Sequence, residues 1–115
     1  MICVKRVYAP AAKEDGSRVL VDRLWPRGRK KESAKIDLWM KEVAPSDALR
    51  KWFAHEPKKW PEFQKKYRTE LKQKKELLAE LKTMEKEYGT LTLLFGARDE
   101  EHNQAVVLAE SLKSK

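Results

Sequence analysis

Val19-Leu20-Val21-Asp22-Arg23-Leu24-Trp25-Pro26-Arg27-Gly28 is the stretch that decides how this chain reads. An apolar β-branched run stops at an acid and an arginine, and a tryptophan, a proline, a second arginine and a glycine follow at once. Continuous apolar character, without alternation, marks a strand buried on both faces, as in a parallel sheet. The polar residues then fall just past the end of that strand, at the sheet edge where ligands of open α/β folds bind.

The flanking sequence supplies the rest of such a fold. Upstream, Ile2 to Tyr8 is β-rich and roughly alternating, which predicts a first strand. Ala9 to Ser17, with Pro10 and Asp15-Gly16, is a connector with a turn. The second strand covers Arg18 to Asp22, and a basic loop runs from Arg23 to about Ser33. Ile36, Leu38, Trp39, Met40 and Val43 suggest a short helix ended by Ala44-Pro45. Ser46 is then a natural N-cap for a helix bearing Leu49, Trp52 and Phe53 and closed before Pro57.

A long helix is expected from about Lys58 to Tyr88, with Pro61 tolerated in its first turn. Trp60, Phe63, Tyr67, Leu71, Leu78 and Leu81 share one helical face, and Gly89 is a fitting stop. Thr90 to Phe95 has strong β character. Gly96-Ala97-Arg98 turns into a final helix with Asp99 as N-cap and Ala105, Leu108 and Leu112 inward. The long crossover between the second and third strands implies parallel pairing and a right-handed connection. The expectation is one α/β domain over residues 1–115, a small, mainly parallel three-stranded sheet packed by four or five helices.

The 115 residues suffice for a core without disulfide or metal support. Cys3 is the lone cysteine, so no internal disulfide and no cysteine-based metal cluster can form. With two histidines besides, a transition-metal site is not expected, and there is no P-loop, Gly-x-Gly-x-x-Gly, zinc spacing or Gly-x-Ser-x-Gly. No cofactor is therefore expected. A signal-peptide apolar region is lacking, as is a run of about 20 apolar residues to span a bilayer. The expected setting is the cytoplasm, with no membrane partner.

Net charge is +8 and unevenly spread. Residues 23–35 hold six basic side chains against Glu32, and residues 50–75 hold ten against Glu56, Glu62 and Glu70. An uneven positive field favours an anionic partner, from a phosphorylated metabolite to nucleic acid, although a lysine-rich solvated surface gives the same sums.

If the second and third strands are parallel, their ends open on one edge. Asp22, Arg23, Trp25 and Arg27 leave one strand there, and Gly96, Arg98, His102 and Asn103 leave the other. Arg23, Arg27 and Arg98 suit phosphate or carboxylate through their rigid donor forks. Trp25 would cover the anion, Asn103 would add an amide, and Asp22 or His102 would move a proton. The plainer alternatives are a loop locked by Asp22 and Arg23, a packing Trp25 and a solvated or capping His102. Asp99, Glu100 and Glu101 already occupy the helix terminus and repel anions, so side-chain arginines outrank the helix dipole. His55, before Glu56-Pro57, and Cys3, in a strand, read as structural.

Residues 19–28 (VLVDRLWPRG), 39–50 (WMKEVAPSDALR), 52–57 (WFAHEP), 63–71 (FQKKYRTEL) and 102–108 (HNQAVVL) together resemble the YeaO-like proteins of the domain of unknown function 488 family. The resemblance spans essentially the whole chain and implies a cytoplasmic α/β domain without an established activity. Longer relatives carry Asp-x-Arg after the second strand and Cys-His-Arg near the last helix. Here Asp22-Arg23 differs in spacing, and Glu101-His102-Asn103 keeps only the histidine, so chemistry that needs the thiol is not expected. The uroporphyrin methyltransferase label of some relatives finds no glycine-rich cofactor loop among four glycines.

Three functions follow as expectations. The first is binding of a small phosphorylated or carboxylated anion at the sheet edge, with or without acid–base catalysis. The second is a nucleic-acid-binding module using stretches 23–35 and 50–75. The third is a non-catalytic module that docks on a protein partner.

Overall fold

The computed structural model describes residues 1–113. Its sheet has four strands, β1 (Ile2–Arg6), β2 (Ser17–Leu20), β3 (Leu38–Trp39) and β4 (Leu91–Phe95), in the order β1-β4-β2-β3. All three pairings are parallel, as the long crossover required. Five helices accompany them: α1 (Lys31–Ala34), α2 (Asp47–Phe53), α3 (Trp60–Leu71), α4 (Lys75–Tyr88) and α5 (Gln104–Lys113).

The α/β class stands, with one strand more than expected. The segment read as a short helix around Ile36–Val43 instead gives β3 and a 3-10 turn at Lys41–Val43. Leu38 and Trp39 pair with Val19 and Leu20 at the sheet edge. A run this short has apolar spacings that suit either period, and the open side of β2 decided between them.

The long helix expected over 58–88 is broken, for Lys72-Gln73-Lys74 separates α3 from α4. Those residues offer no apolar group to bury, so nothing holds a continuous helix there. The Lys74 ammonium instead donates to the Ala44 carbonyl at 2.9 Å. The last helix also starts later than expected. Asp99 caps a local turn through the N–H groups of Glu101 and His102, and Asn103 caps α5 through the N–H of Val106.

Side chains of the central strands divide between two layers. Val19, Val21, Leu91, Leu93 and Phe95 face a thick layer built by α2 to α5. Leu20 and Leu94 face the other way, onto Val7, Ala34 and Ile36, under a thinner cover of loops and α1. Burial on both sides accounts for the continuous apolar runs. Within the thick layer, Tyr67 is fully buried and its hydroxyl donates to the Val43 carbonyl at 2.6 Å.

The thin layer is anchored by polar groups. Arg18 is buried, donates to the carbonyls of Lys35 and Ala34, and pairs with Asp15. Asp15 also takes the Lys5 ammonium at 3.2 Å and the Ala12 N–H at 3.0 Å. Burial draws the Asp15 carboxyl upward, but the Ala12 N–H, Lys5 and Arg18 outweigh it and hold the carboxyl below its ordinary range. Among the described residues no helix is long and apolar enough to cross a membrane.

Candidate functional site

The parallel arrangement brings the ends of β2 and β4 to one edge, where a cleft of about 250 Å³ opens. Asp22, Arg23 and Leu24 enter it from the end of β2, and Gly96 and Ala97 from the end of β4. Asn103 and Gln104 come from the start of α5, and Arg50, Phe53 and His55 from α2 and the turn after it.

Asp22 is the most constrained of these. One carboxylate oxygen accepts the Gly96 N–H at 2.7 Å and the other accepts the Gln104 side-chain amide. A Cβ on residue 96 would meet that first oxygen at 3.0 Å, so glycine there permits the close approach. Burial pushes the Asp22 carboxyl above its usual range, against the Gly96 N–H, the Gln104 amide and the charge of His55. The backbone carbonyl of Asp22 accepts the Trp39 indole N–H at 2.8 Å, which fixes the turn.

Arg23 is tied to the wall. Its Nε donates to the Pro45 carbonyl at 3.0 Å and its Nη2 to the Ala44 carbonyl at 3.3 Å. Arg50 is exposed, its guanidinium making among the described residues only a 3.4 Å contact to the exposed Asp47. Ala54 and His55 both adopt left-handed backbone, φ 46° and 57°, which turns the chain back after α2 and sets the imidazole at the cleft. Such conformations are disfavoured for residues with a Cβ and tend to persist where the surroundings demand them.

Of the expected site residues, the structure brings Asp22, Arg23 and Asn103 together in the cleft lining, and Trp25, Arg27, Arg98 and His102 stand outside it. Asn103 donates to the Asp99 carbonyl and caps α5, so both ends of its amide are engaged. Trp25 lies across the sheet, edge-on to Trp39 at 5.2 Å with its indole N–H on the Arg29 carbonyl. Arg27 and Arg98 are exposed and make no side-chain hydrogen bond or ion pair among the described residues. The His102 ring sits 2.8 Å from the Asp99 carboxylate and edge-on to Trp60 at 5.2 Å. The Glu101 N–H, and next to it the His102 ring, hold the Asp99 carboxyl below its ordinary range.

Sequence reading missed Arg50, His55 and Gln104 as cleft residues. Gln104 carried no signal, because nothing in a helix's first residue announces a carboxylate partner 82 positions away. His55 carried a faint one, an imidazole between a helix end and the turn before Pro57.

Comparison with known proteins follows this geometry. The family model described as the inactive DUF488-N3 subclade matches residues 1–115. The uncharacterized protein YeaO of Escherichia coli is 46% identical over 110 residues, covering 96% of this chain and 95% of the relative. An uncharacterized protein of Mycobacterium tuberculosis and one of Mycobacterium bovis are each 38% identical over 112 residues, covering 97% of this chain and 93% of the relative. No solved structure matches significantly.

Proposed function

Since the chain belongs to the inactive DUF488-N3 subclade over residues 1–115, we propose that its cleft binds a small carboxylated or phosphorylated molecule without converting it. The observation that carries this is the make-up of the lining. Arg23, Arg50 and His55 supply donors for an anion, while Leu24, Phe53 and Phe63 supply apolar wall. Among the described residues no cysteine, serine, threonine, lysine or tyrosine lines the cleft, and the Asp22 carboxylate is held by the Gly96 N–H and the Gln104 amide.

Glu101, where the family resemblance implies a cysteine in longer relatives, is exposed, and Asn103, where it implies an arginine, is taken up in capping α5. Both fit the subclade's description as inactive. A volume of about 250 Å³ lies below the range of roughly 300–1,000 Å³ common for drug-sized ligands, so the ligand is small. Asp22, fixed at the cleft floor by Gly96 and Gln104, accepts a hydrogen bond from the ligand's hydroxyl or amine.

The test is a thermal-shift screen against inorganic phosphate, small carboxylates, sugar phosphates and mononucleotides, followed by calorimetry on whatever shifts. Arg50→Ala should weaken binding about 10- to 100-fold, the size of one charge-assisted hydrogen bond. The melting temperature should barely change, because an exposed ion pair such as Arg50 with Asp47 contributes little. A panel without a shift, or a shift indifferent to Arg50→Ala, would sink the reading.

A pH series tests the role of Asp22. Its folded-state pKa is raised, so the carboxyl is neutral below that value and negative above it. Anion affinity should therefore fall as pH rises through the raised pKa. In Asp22→Asn that fall should be lost, and affinity above the raised pKa should increase. Equal pH profiles for the two proteins would remove Asp22 from the ligand's surroundings.

A further inference from the structure

A second surface lies across the sheet, on the thinly covered face. Tyr8, Trp25 and Trp39 pack half-buried on the small cluster there. Main-chain carbonyls hold the polar tip of each ring: Tyr8 donates to Arg27 at 3.3 Å, Trp25 to Arg29 at 2.7 Å and Trp39 to Asp22 at 2.8 Å. The rings are thus fixed in orientation while their remaining edges and faces meet solvent and charge.

Cations lie directly on them. The guanidinium groups of Arg6 and Arg29 each sit 5.1 Å from the Tyr8 ring centre, and the Lys41 ammonium sits 5.3 Å from that of Trp39. In the loop whose Arg27 and Arg29 carbonyls hold Tyr8 and Trp25, Arg27, Lys30 and Lys31 are exposed, with no side-chain hydrogen bond or ion pair among the described residues. The nearby Asp37 carboxylate is engaged by the Arg18 N–H.

The other basic stretch is arranged differently. Arg68 pairs with Glu110, Arg50 with Asp47, and Lys59 and Lys74 donate to main-chain carbonyls, while Lys51, Lys58, Lys65, Lys72 and Lys75 are exposed and unpaired among the described residues but make no contact with an aromatic ring. Trp52 carries Lys59 and Lys66 over its ring but, among the described residues, has no second ring packed beside it in the manner of Trp25 and Trp39. The 23–35 stretch therefore offers its uncommitted cations beside a row of aromatic groups.

We propose that this face binds single-stranded nucleic acid. Unpaired bases stack on the guanidinium planes that Tyr8 holds in place and on the ring surface left open at Trp25, and the backbone phosphates meet Arg27, Lys30 and Lys31. A duplex fits poorly, because a major-groove reader needs a protruding helix and α1 has four residues. The face adjoins the Asp22 cleft, since Trp39 donates to the Asp22 carbonyl and Arg6 to those of Ala97 and Gly96, but it uses different side chains, and neither reading depends on the other.

The experiment is fluorescence anisotropy with the intact chain and a labelled oligonucleotide of about 12 nucleotides, the span of a small stacking site. Binding should appear at low salt and weaken about 20-fold between roughly 50 and 200 mM salt, as expected when about three phosphates are neutralised. The triple variant Arg27→Glu, Lys30→Glu, Lys31→Glu should abolish binding with an unchanged melting temperature. Tyr8→Leu, which keeps apolar contact but removes the ring, should weaken it about tenfold.

The control reverses the same number of charges at exposed positions of the other stretch, Lys58→Glu, Lys65→Glu, Lys72→Glu, and should leave most of the affinity. Equal losses in the two triple variants would reduce the effect to net charge and overturn the proposal. So would tighter binding of a duplex of the same length, or no binding at low salt.

Discussion

Asp15→Ala should cost about 3–5 kcal/mol, the penalty for leaving a buried charge without its partner. Arg18 is only 4% exposed, and the carbonyls of Lys35 and Ala34 can accept its hydrogen bonds but cannot neutralise its charge. Lys5 and the Ala12 N–H lose the same carboxylate. Against a total stability of about 5–15 kcal/mol for a domain, the loss is severe. Urea denaturation should show a lower midpoint with an unchanged slope. Asp15→Asn, which keeps an oxygen acceptor in place, should fall between the two. An Asp15→Ala variant as stable as the parent would mean that Arg18 is solvated by another route.

The same group fixes a pH dependence. The Asp15 carboxyl is held below its ordinary value in the folded chain, so folding favours its ionised form. Its stabilisation is present in full above the unfolded value near 3.8 and is lost as pH falls through the depressed folded value. Acid unfolding should therefore be shallower in Asp15→Asn than in the parent, read by circular dichroism between neutral and strongly acidic pH.

Gly16→Ala should be nearly as damaging, for a different reason. Gly16 has φ 62° and ψ −130°, a region essentially reserved for glycine. A Cβ there would lie 2.2 Å from the Thr90 carbonyl oxygen. That carbonyl also accepts the Ser17 N–H, where β2 begins its pairing with β4, so the backbone cannot retreat without loosening the sheet. Strain of about 1–3 kcal/mol from the dihedrals adds to a similar overpacking cost. The expected loss is about 3–5 kcal/mol by urea titration; exposed Gly28, also at positive φ (73°) but with nothing within 4 Å of an added Cβ, should lose only about 1 kcal/mol on the same substitution, from dihedral strain alone.

What was legible in the sequence came from continuous runs and abrupt stops. Val19 to Val21 and Leu91 to Phe95 could be read as central strands because burial on both faces removes alternation, and their ends gave Asp22 and Gly96 as neighbours at one edge. Leu38-Trp39 escaped because two residues carry no period. The break at Lys72-Lys74 escaped because apolar residues on either side keep a spacing that a single helix would also satisfy. Trp25 and Arg27 follow Asp22 so closely that sequence placed them in the cleft, yet the loop crosses to the other face of the sheet within three residues. His55, Arg50 and Gln104 reach the cleft only through the packing of α2 and α5, which no local pattern encodes.

The strand order has a bearing on how the chain comes to be folded at all. β1 and β2 are made early, but they do not touch; both pair with β4, which enters between them at Leu91–Phe95. During synthesis the first ninety or so residues therefore leave β1 unpaired and β2 with only the two-residue β3 beside it, along with helices whose inner faces have no complete sheet to cover. Collapse must wait for β4, and the pairing it makes with β1 closes a loop of almost the whole chain. Nascent chains stalled before Leu91 should be rapidly cut by protease, whereas those that have exposed both β4 and the core residues of α5, through Leu112, should be resistant.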